Sequence, residues 1–129
     1  MVWVDAFVAL AMHELALLQG GGAEGLRDRN LLESALARPQ MQAHYRGGAA
    51  SVPELAAAYA FGLIKNHAFI DGNKRTALLV ADAFCARNGH RFQAPEAEAV
   101  VIFRSVAAGE IGEEGLARWF TRHTQKVEL

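Results

Sequence analysis

Residues 51–90, SVPELAAAYAFGLIKNHAFIDGNKRTALLVADAFCARNGH, hold two apolar helical patterns separated by a short polar segment, and that arrangement decides the fold class. Ser51 and Glu54 form a capping box around Pro53, which satisfies two otherwise unpaired backbone donors reciprocally at a helix start. The alanine-rich helix that follows is expected to reach about Asn66 and to deliver His67. Beyond the polar segment, Ala77, Leu78, Ala81, Phe84 and Cys85 mark a second helix with a buried face, stopped by Asn88 and Gly89. Its first turn is Asn73 to Thr76.

The same period recurs outward from this pair. Asp5 caps a helix running to about Leu18, with Phe7, Leu10, Ala11 and Leu15 on one face, and Gly20, Gly21 and Gly22 end it. A glycine-containing loop then runs to Asp28. Asp28 caps a helix carrying Leu31, Leu32, Ala35 and Leu36, which Pro39 is expected to end or distort because it disfavours helix at Arg38. Downstream, Pro95 opens a helix through Ala108 that Gly109 closes, and Glu113 with Glu114 opens another carrying Leu116, Trp119 and Phe120. Strand-type alternation is confined to HRFQ, residues 90–93. The expected architecture is all-α: one compact domain over residues 1–129, about six helices and at most a minor strand-like piece.

Composition bounds the function classes. With 129 residues, 52% of them apolar, the chain can bury a real core. Thirteen Lys and Arg against 14 Asp and Glu leave a formal net charge of -1, so no global field draws the protein to nucleic acid or to an anionic membrane. Any phosphate recognition must be local. A single cysteine, Cys85, builds neither a disulfide nor a zinc cluster and reads as a small buried hydrophobe. No apolar run approaches the roughly 20 residues of a membrane span, and the opening VWVDAFVALAM lacks a basic start. A soluble cytoplasmic protein is expected.

The polar segment, HAFIDGNKRT (67–76), carries the chemistry. A helix start exposes unpaired N–H groups and a partial positive charge, which makes it an anion site. Gly72 removes side-chain bulk where a phosphate would approach, Asn73 offers side-chain donors, and Lys74 and Arg75 add two formal charges. Asp71 would repel a bare phosphate, but it fits if a divalent cation, best magnesium, lies between them. His67, at the entrance of the loop, suits a general base because an ordinary imidazole titrates near roughly 6.5. Each residue alone has a plainer reading: Asp71 as an N-cap, Gly72 as a turn residue, Lys74 and Arg75 as a solvated face. Their convergence at one helix start favours function. His13, His44, His90 and His123 carry no assigned role.

Two other motifs fail on spacing. A phosphate-binding P-loop needs Gly, four residues and then Gly-Lys-Ser/Thr after a strand; here Asn73 intervenes and a helix precedes. His67 and Asp71 stand four apart like some zinc ligands, yet no second histidine stands nearby.

The run His67-Ala68-Phe69-Ile70-Asp71-Gly72-Asn73-Lys74-Arg75 resembles the signature of the Fic/Doc superfamily. GLRDRNLLESALARPQ, the LIKNH helix end, RTAL and RNGHRF extend the resemblance to the Doc, or death-on-curing, toxin branch over most of the chain. It implies an all-helical Fic-like fold. It also implies that His67 activates a protein hydroxyl, Asp71 holds magnesium, Asn73 and Arg75 hold nucleotide phosphates, and Phe69 is a buried anchor of the loop.

The branch determines the implied reaction. Fic enzymes that transfer AMP from ATP usually have glycine after the asparagine and a second arginine three residues past the first; here those places hold Lys74 and Leu78. In Doc-like chains the lysine and the missing arginine accompany a reversed nucleotide, with the γ-phosphate at the histidine. The implied activity is phosphorylation of a protein hydroxyl by ATP, with a threonine of elongation factor Tu as target and arrested translation as outcome. Gly72 matches the AMP-transferring pattern, so AMP transfer is the alternative, and a non-catalytic binding protein of the same fold is a further one. Neither Glu24-Gly25 nor Glu114-Gly115 has the Ser or Thr of the family's inhibitory helix four residues earlier. A separate antitoxin with a disordered inhibitory tail is therefore the expected partner. The glycine-bearing loop from Gly20 to Asp28 and the connection from Arg38 to Ser51 are candidates for holding the target near His67.

Overall fold

The computed structural model describes residues 1–128, in the order α1 (Ala6–Gly20), α2 (Arg29–Tyr45), α3 (Val52–Asn66), α4 (Asn73–Arg87), β1 (His90–Phe92), α5 (Glu96–Ala107), α6 (Glu113–Arg122) and β2 (Thr124–Lys126). Both acidic caps form: the Asp5 carboxylate accepts from the Val8 N–H at 3.0 Å, and Asp28 accepts from Asn30 and Leu31. The capping box forms as well, with the Ser51 N–H donating to Glu54 at 3.0 Å and the Glu54 N–H to the Ser51 hydroxyl at 3.3 Å. HRF becomes β1, antiparallel to β2, with Arg91 opposite Gln125; β2 itself carried no signal in the sequence.

The centre of the fold is α3, packed against α2, α4 and α6. Ala56, Ala57, Ala58 and Ala60 are fully buried, and these small side chains let the neighbouring helices approach on several sides. Gly62 lets α2 approach closely, since a β-carbon there would lie 3.3 Å from the Ala35 Cα and 3.4 Å from its carbonyl oxygen. Trp119, Phe120, Phe103 and Phe92 pack as an aromatic cluster between α5, α6 and β1. Cys85 is buried in α4, and burial pushes its thiol up to about 12, so it serves as packing.

Two expectations are corrected. Pro39 neither ends α2 nor confines it; the helix continues to Tyr45. The lost Pro39 N–H removes one helical bond, while the ring is buried and the turn around it is tied to α6, where Arg38 and Gln42 both donate to the Glu113 carboxylate. The apolar face of α1 is also rotated from the expected one. Ala9, His13 and Ala16 point inward, whereas Phe7 is 82% exposed and Ala11 and Leu15 face outward. The helix is apolar nearly all round, so periodicity did not select a face; the stripe turned inward against α4 is Ala9 and Ala16 with His13 between them.

Candidate active site

The segment 67–72 joins the C-terminus of α3 to the N-terminus of α4, and its backbone is held from four directions. Phe69, fully buried, is bracketed by Asn73, whose side-chain oxygen accepts from the Phe69 N–H at 3.0 Å and whose amide donates to the Phe69 carbonyl at 2.9 Å. The loop between α1 and α2 lies alongside, joined by a single antiparallel bridge between Leu26 and Phe69: the Ile70 N–H donates to the Gly25 carbonyl at 3.0 Å and the Arg27 N–H to the Ala68 carbonyl at 2.7 Å. The Arg27 guanidinium donates to the carbonyls of His67 (2.8 Å) and Asn66 (3.0 Å), the open end of α3. From α1, the His13 Nε2–H donates to the Asp71 carbonyl at 2.8 Å, and the His13 ring stacks on Phe69 at 3.8 Å and 11°.

This frame sets the exposed chemistry. His67 sits at the C-cap of α3 with φ 50 and ψ 54, the one non-glycine residue with positive φ among the described residues. That conformation is sparsely populated and persists where surroundings enforce it. Asp71 is not the N-cap of α4: Gly72 is, at φ 78, and among the described residues no side chain caps α4. The Asp71 carboxylate instead accepts from the Ala23 N–H at 2.7 Å and stays exposed. The first-turn N–H groups of α4 are thus left for an anion.

Asp71, Gly72, Asn73, Lys74 and Arg75 together line one cleft of about 520 Å³, with Leu78 from α4, Gly20 to Gly22 at the end of α1, and Glu96, Ala99, Val100, Phe103 and Arg104 from α5. His67 is exposed at the other end of the segment and is not among the cleft-lining residues. The cleft volume suits a nucleotide-sized ligand. Two sequence readings change in detail. The Asn73 side chain is buried and turned onto Phe69, so it organises the loop. A β-carbon at Gly72 would face Leu17 (3.4 Å) and His13 (3.6 Å) of α1; the glycine supplies the left-handed backbone that starts α4.

A model of the Fic/DOC family matches residues 3–85. Protein kinase doc of Escherichia phage P1 is 32% identical over 109 residues, which is 84% of each chain. Toxin Doc of Mycolicibacterium smegmatis is 44% identical over 72 residues, 54% of this chain and 53% of that one. The chain belongs to the Fic/Doc family. Both relatives place it in the Doc branch, and the six-helix architecture agrees with the expectation for that family.

Within this Fic/Doc site, sequence reasoning missed three side chains. Arg27 holds the end of α3 that presents His67. Glu96 pairs with Arg75 across the cleft at 3.2 Å, with 73% of its side chain exposed. His13 lies buried under the loop. Only His13 left a trace in the sequence, as the middle of the spacing Ala9, His13, Ala16, which becomes informative once small residues are read as the contact stripe. The donor set fits a hard cation: one exposed carboxylate beside an anion-binding helix start is what magnesium takes when phosphate oxygens and water complete its shell. Among the described residues no three His, Cys, Asp or Glu side chains converge to enclose a metal, so such an ion would be shared with a phosphate ligand.

Proposed function

We propose that this chain is the toxin of a toxin–antitoxin pair and transfers the γ-phosphate of ATP to a protein hydroxyl, a threonine of elongation factor Tu being the first candidate, so that translation stops. The uncapped start of α4, opening with Asp71, Lys74 and Arg75 onto one cleft, carries this reading. The name of the phage P1 relative, a protein kinase, supports it. In this reading the α4 N–H groups and Arg75 hold phosphate oxygens, and Leu78, Ala99 and Phe103 offer apolar wall to the nucleoside. Asp71 would hold magnesium, which supplies charge neutralisation on the phosphates when bound.

His67 accepts the proton of the target hydroxyl as its oxygen forms the new bond to phosphorus and ADP departs with the broken bond. That general-base contribution is worth roughly 100- to 10,000-fold. Lys74 lines the cleft beside the helix start and fills space that a bulkier, nucleoside-bearing phosphate would need. Leu78 stands where an AMP-transferring site would carry an arginine. Gly72, by contrast, favours AMP transfer as the second reading, because it matches that pattern and takes the required left-handed backbone without strain. The expected place of action is the cytoplasm, and the expected inhibitor is a separate antitoxin whose disordered tail folds onto the toxin.

The test is to incubate the protein with ATP, magnesium and elongation factor Tu and to weigh the product. A phosphate-sized gain that disappears in His67→Ala and weakens in Arg75→Ala supports the proposal. A nucleotide-sized gain transfers support to the second reading, and no gain on any protein of a cell extract rejects both.

A further inference from the structure

His13 is the least explained side chain at the site. It is a titratable, polar residue only 6% exposed, on a helix whose other inward residues are the alanines Ala9 and Ala16. A buried imidazole is costly unless its polar atoms are paired, and a leucine would pack here at lower cost. Two contacts account for it. The Nε2 atom lies 2.8 Å from the Asp71 carbonyl, which can only accept, so Nε2 carries the proton and donates. The ring lies nearly parallel to Phe69 at 3.8 Å, closing the underside of the loop.

We propose that His13 is a positioning residue of the transfer site: it fixes the Asp71–Gly72 peptide from beneath and so aims the Asp71 carboxylate and the first N–H groups of α4 into the cleft. The geometry concentrates on this one peptide. The Asp71 carboxylate is steered from the other side by Ala23 at 2.7 Å, while the Asn73 brackets end at Phe69, two residues earlier. Among the described residues, no other hydrogen bond from a neighbouring element reaches the Asp71 carbonyl. Gly72, the residue after it, has no side chain to restrain its backbone, and its α-carbon face lies against His13 itself. With the His13 donor gone, the peptide can rotate, the helix start loses its aim, and Asp71 moves with it. Phosphates can still meet Lys74 and Arg75, so ground-state nucleotide binding is less affected than the chemical step.

The inference rests on the proposed transferase reading for its kinetic consequence but not for its structural one, and the experiment separates the two. His13→Phe keeps the stacked ring and removes the donor; His13→Gln keeps an amide donor of similar reach and removes the ring. Amide hydrogen exchange of Ala23, Phe69 and Ile70 reports the loop without any ligand. In His13→Phe these amides should exchange faster while the interiors of α3 and α4 remain as in the parent; His13→Gln should restore most of the protection. With ATP, magnesium and the target protein, kcat of His13→Phe should fall about 10- to 100-fold, the scale of a misplaced catalytic group, with a much smaller change in KM for ATP. His13→Gln should recover the larger part. If His13→Phe does not fold, His13→Leu is measured in its place. Unchanged loop exchange in the donor-less variant overturns the proposal. So does equal loss in the Gln and Phe variants accompanied only by a lower melting temperature, since that marks a purely structural residue. Should the parent transfer neither phosphate nor AMP, the functional reading fails, and the exchange comparison still decides the role of His13.

Discussion

His67 is held in a left-handed conformation by groups that belong to other parts of the chain, and Arg27 is the most direct of them. Its two bonds to the Asn66 and His67 carbonyls satisfy the end of α3 and place a positive charge where the helix dipole favours one. Arg27→Ala is expected to lower kcat for protein modification about 10-fold or more, by letting His67 relax, while costing roughly 1 kcal/mol of stability. Initial rates measured on the intact target and urea unfolding check the two halves; an unchanged kcat refutes the first. On the opposite wall, Glu96 pairs with Arg75, so under the proposed function it would compete with phosphate for that guanidinium. Exposed ion pairs of this kind are worth at most about 1 kcal/mol, so Glu96→Ala should tighten ATP binding by no more than about 5-fold. Calorimetric titration with a non-hydrolysable ATP analogue reads this directly, and weaker binding would show that Glu96 assists the ligand. The motif made Asp71, Lys74 and Arg75, which the fold brings to one cleft, stand out in the sequence. It did not expose Arg27, Glu96 or His13, because their partners are a helix end, a facing helix and a backbone carbonyl far away in the chain.

At the scale of elements, what local chemistry specifies was legible. Asp5, Asp28 and the Ser51–Glu54 box cap the helices they precede, and Gly89 and Gly109 follow the ends of α4 and α5. What tertiary packing specifies was not. Pro39 sits inside α2, where Glu113 of α6 accepts from Arg38 and Gln42 on either side of it, and α1 turns Ala9, His13 and Ala16 inward rather than its large apolar residues. The α2–α3 crossing follows the same rule of close approach at Gly62. A valine there would add two methyl groups to a β-carbon that already lies 3.3 Å from the Ala35 Cα, crowding the Ala35 backbone more than a single methyl does. Gly62→Val should therefore lose about 1–3 kcal/mol in urea denaturation. Gly62→Ala should stay closer to the parent, since its better helix propensity of about 1 kcal/mol offsets part of the crowding. A valine variant as stable as the parent would mean that the two helices can slide apart freely.

Across the whole molecule, the segment preceding α1 is clasped to the core at two places. Val2 exchanges hydrogen bonds with Asn88 at the end of α4 (2.7 and 2.9 Å), and the Val4 N–H donates to the Tyr59 hydroxyl inside α3 (2.8 Å). Burial pushes the Tyr59 phenol up to about 12, so it remains a neutral partner through the physiological range and the clasp does not depend on pH there. Tyr59→Phe keeps the ring that packs on Phe84 at 5.0 Å but leaves the buried Val4 N–H without its acceptor. That omission costs about 1–3 kcal/mol. The segment 67–72, however, takes its restraints from Arg27, Asn73, His13 and the Gly25 carbonyl, all of which survive the change. Tyr59→Phe should thus lower the urea midpoint while leaving kcat per folded molecule unchanged, the reverse of the pattern expected for Arg27→Ala. If kcat falls in step with stability, the register of α1, and with it the reach of His13 to Asp71, is set by the clasp at Val4 rather than by the packing of Ala9 and Ala16 on the core.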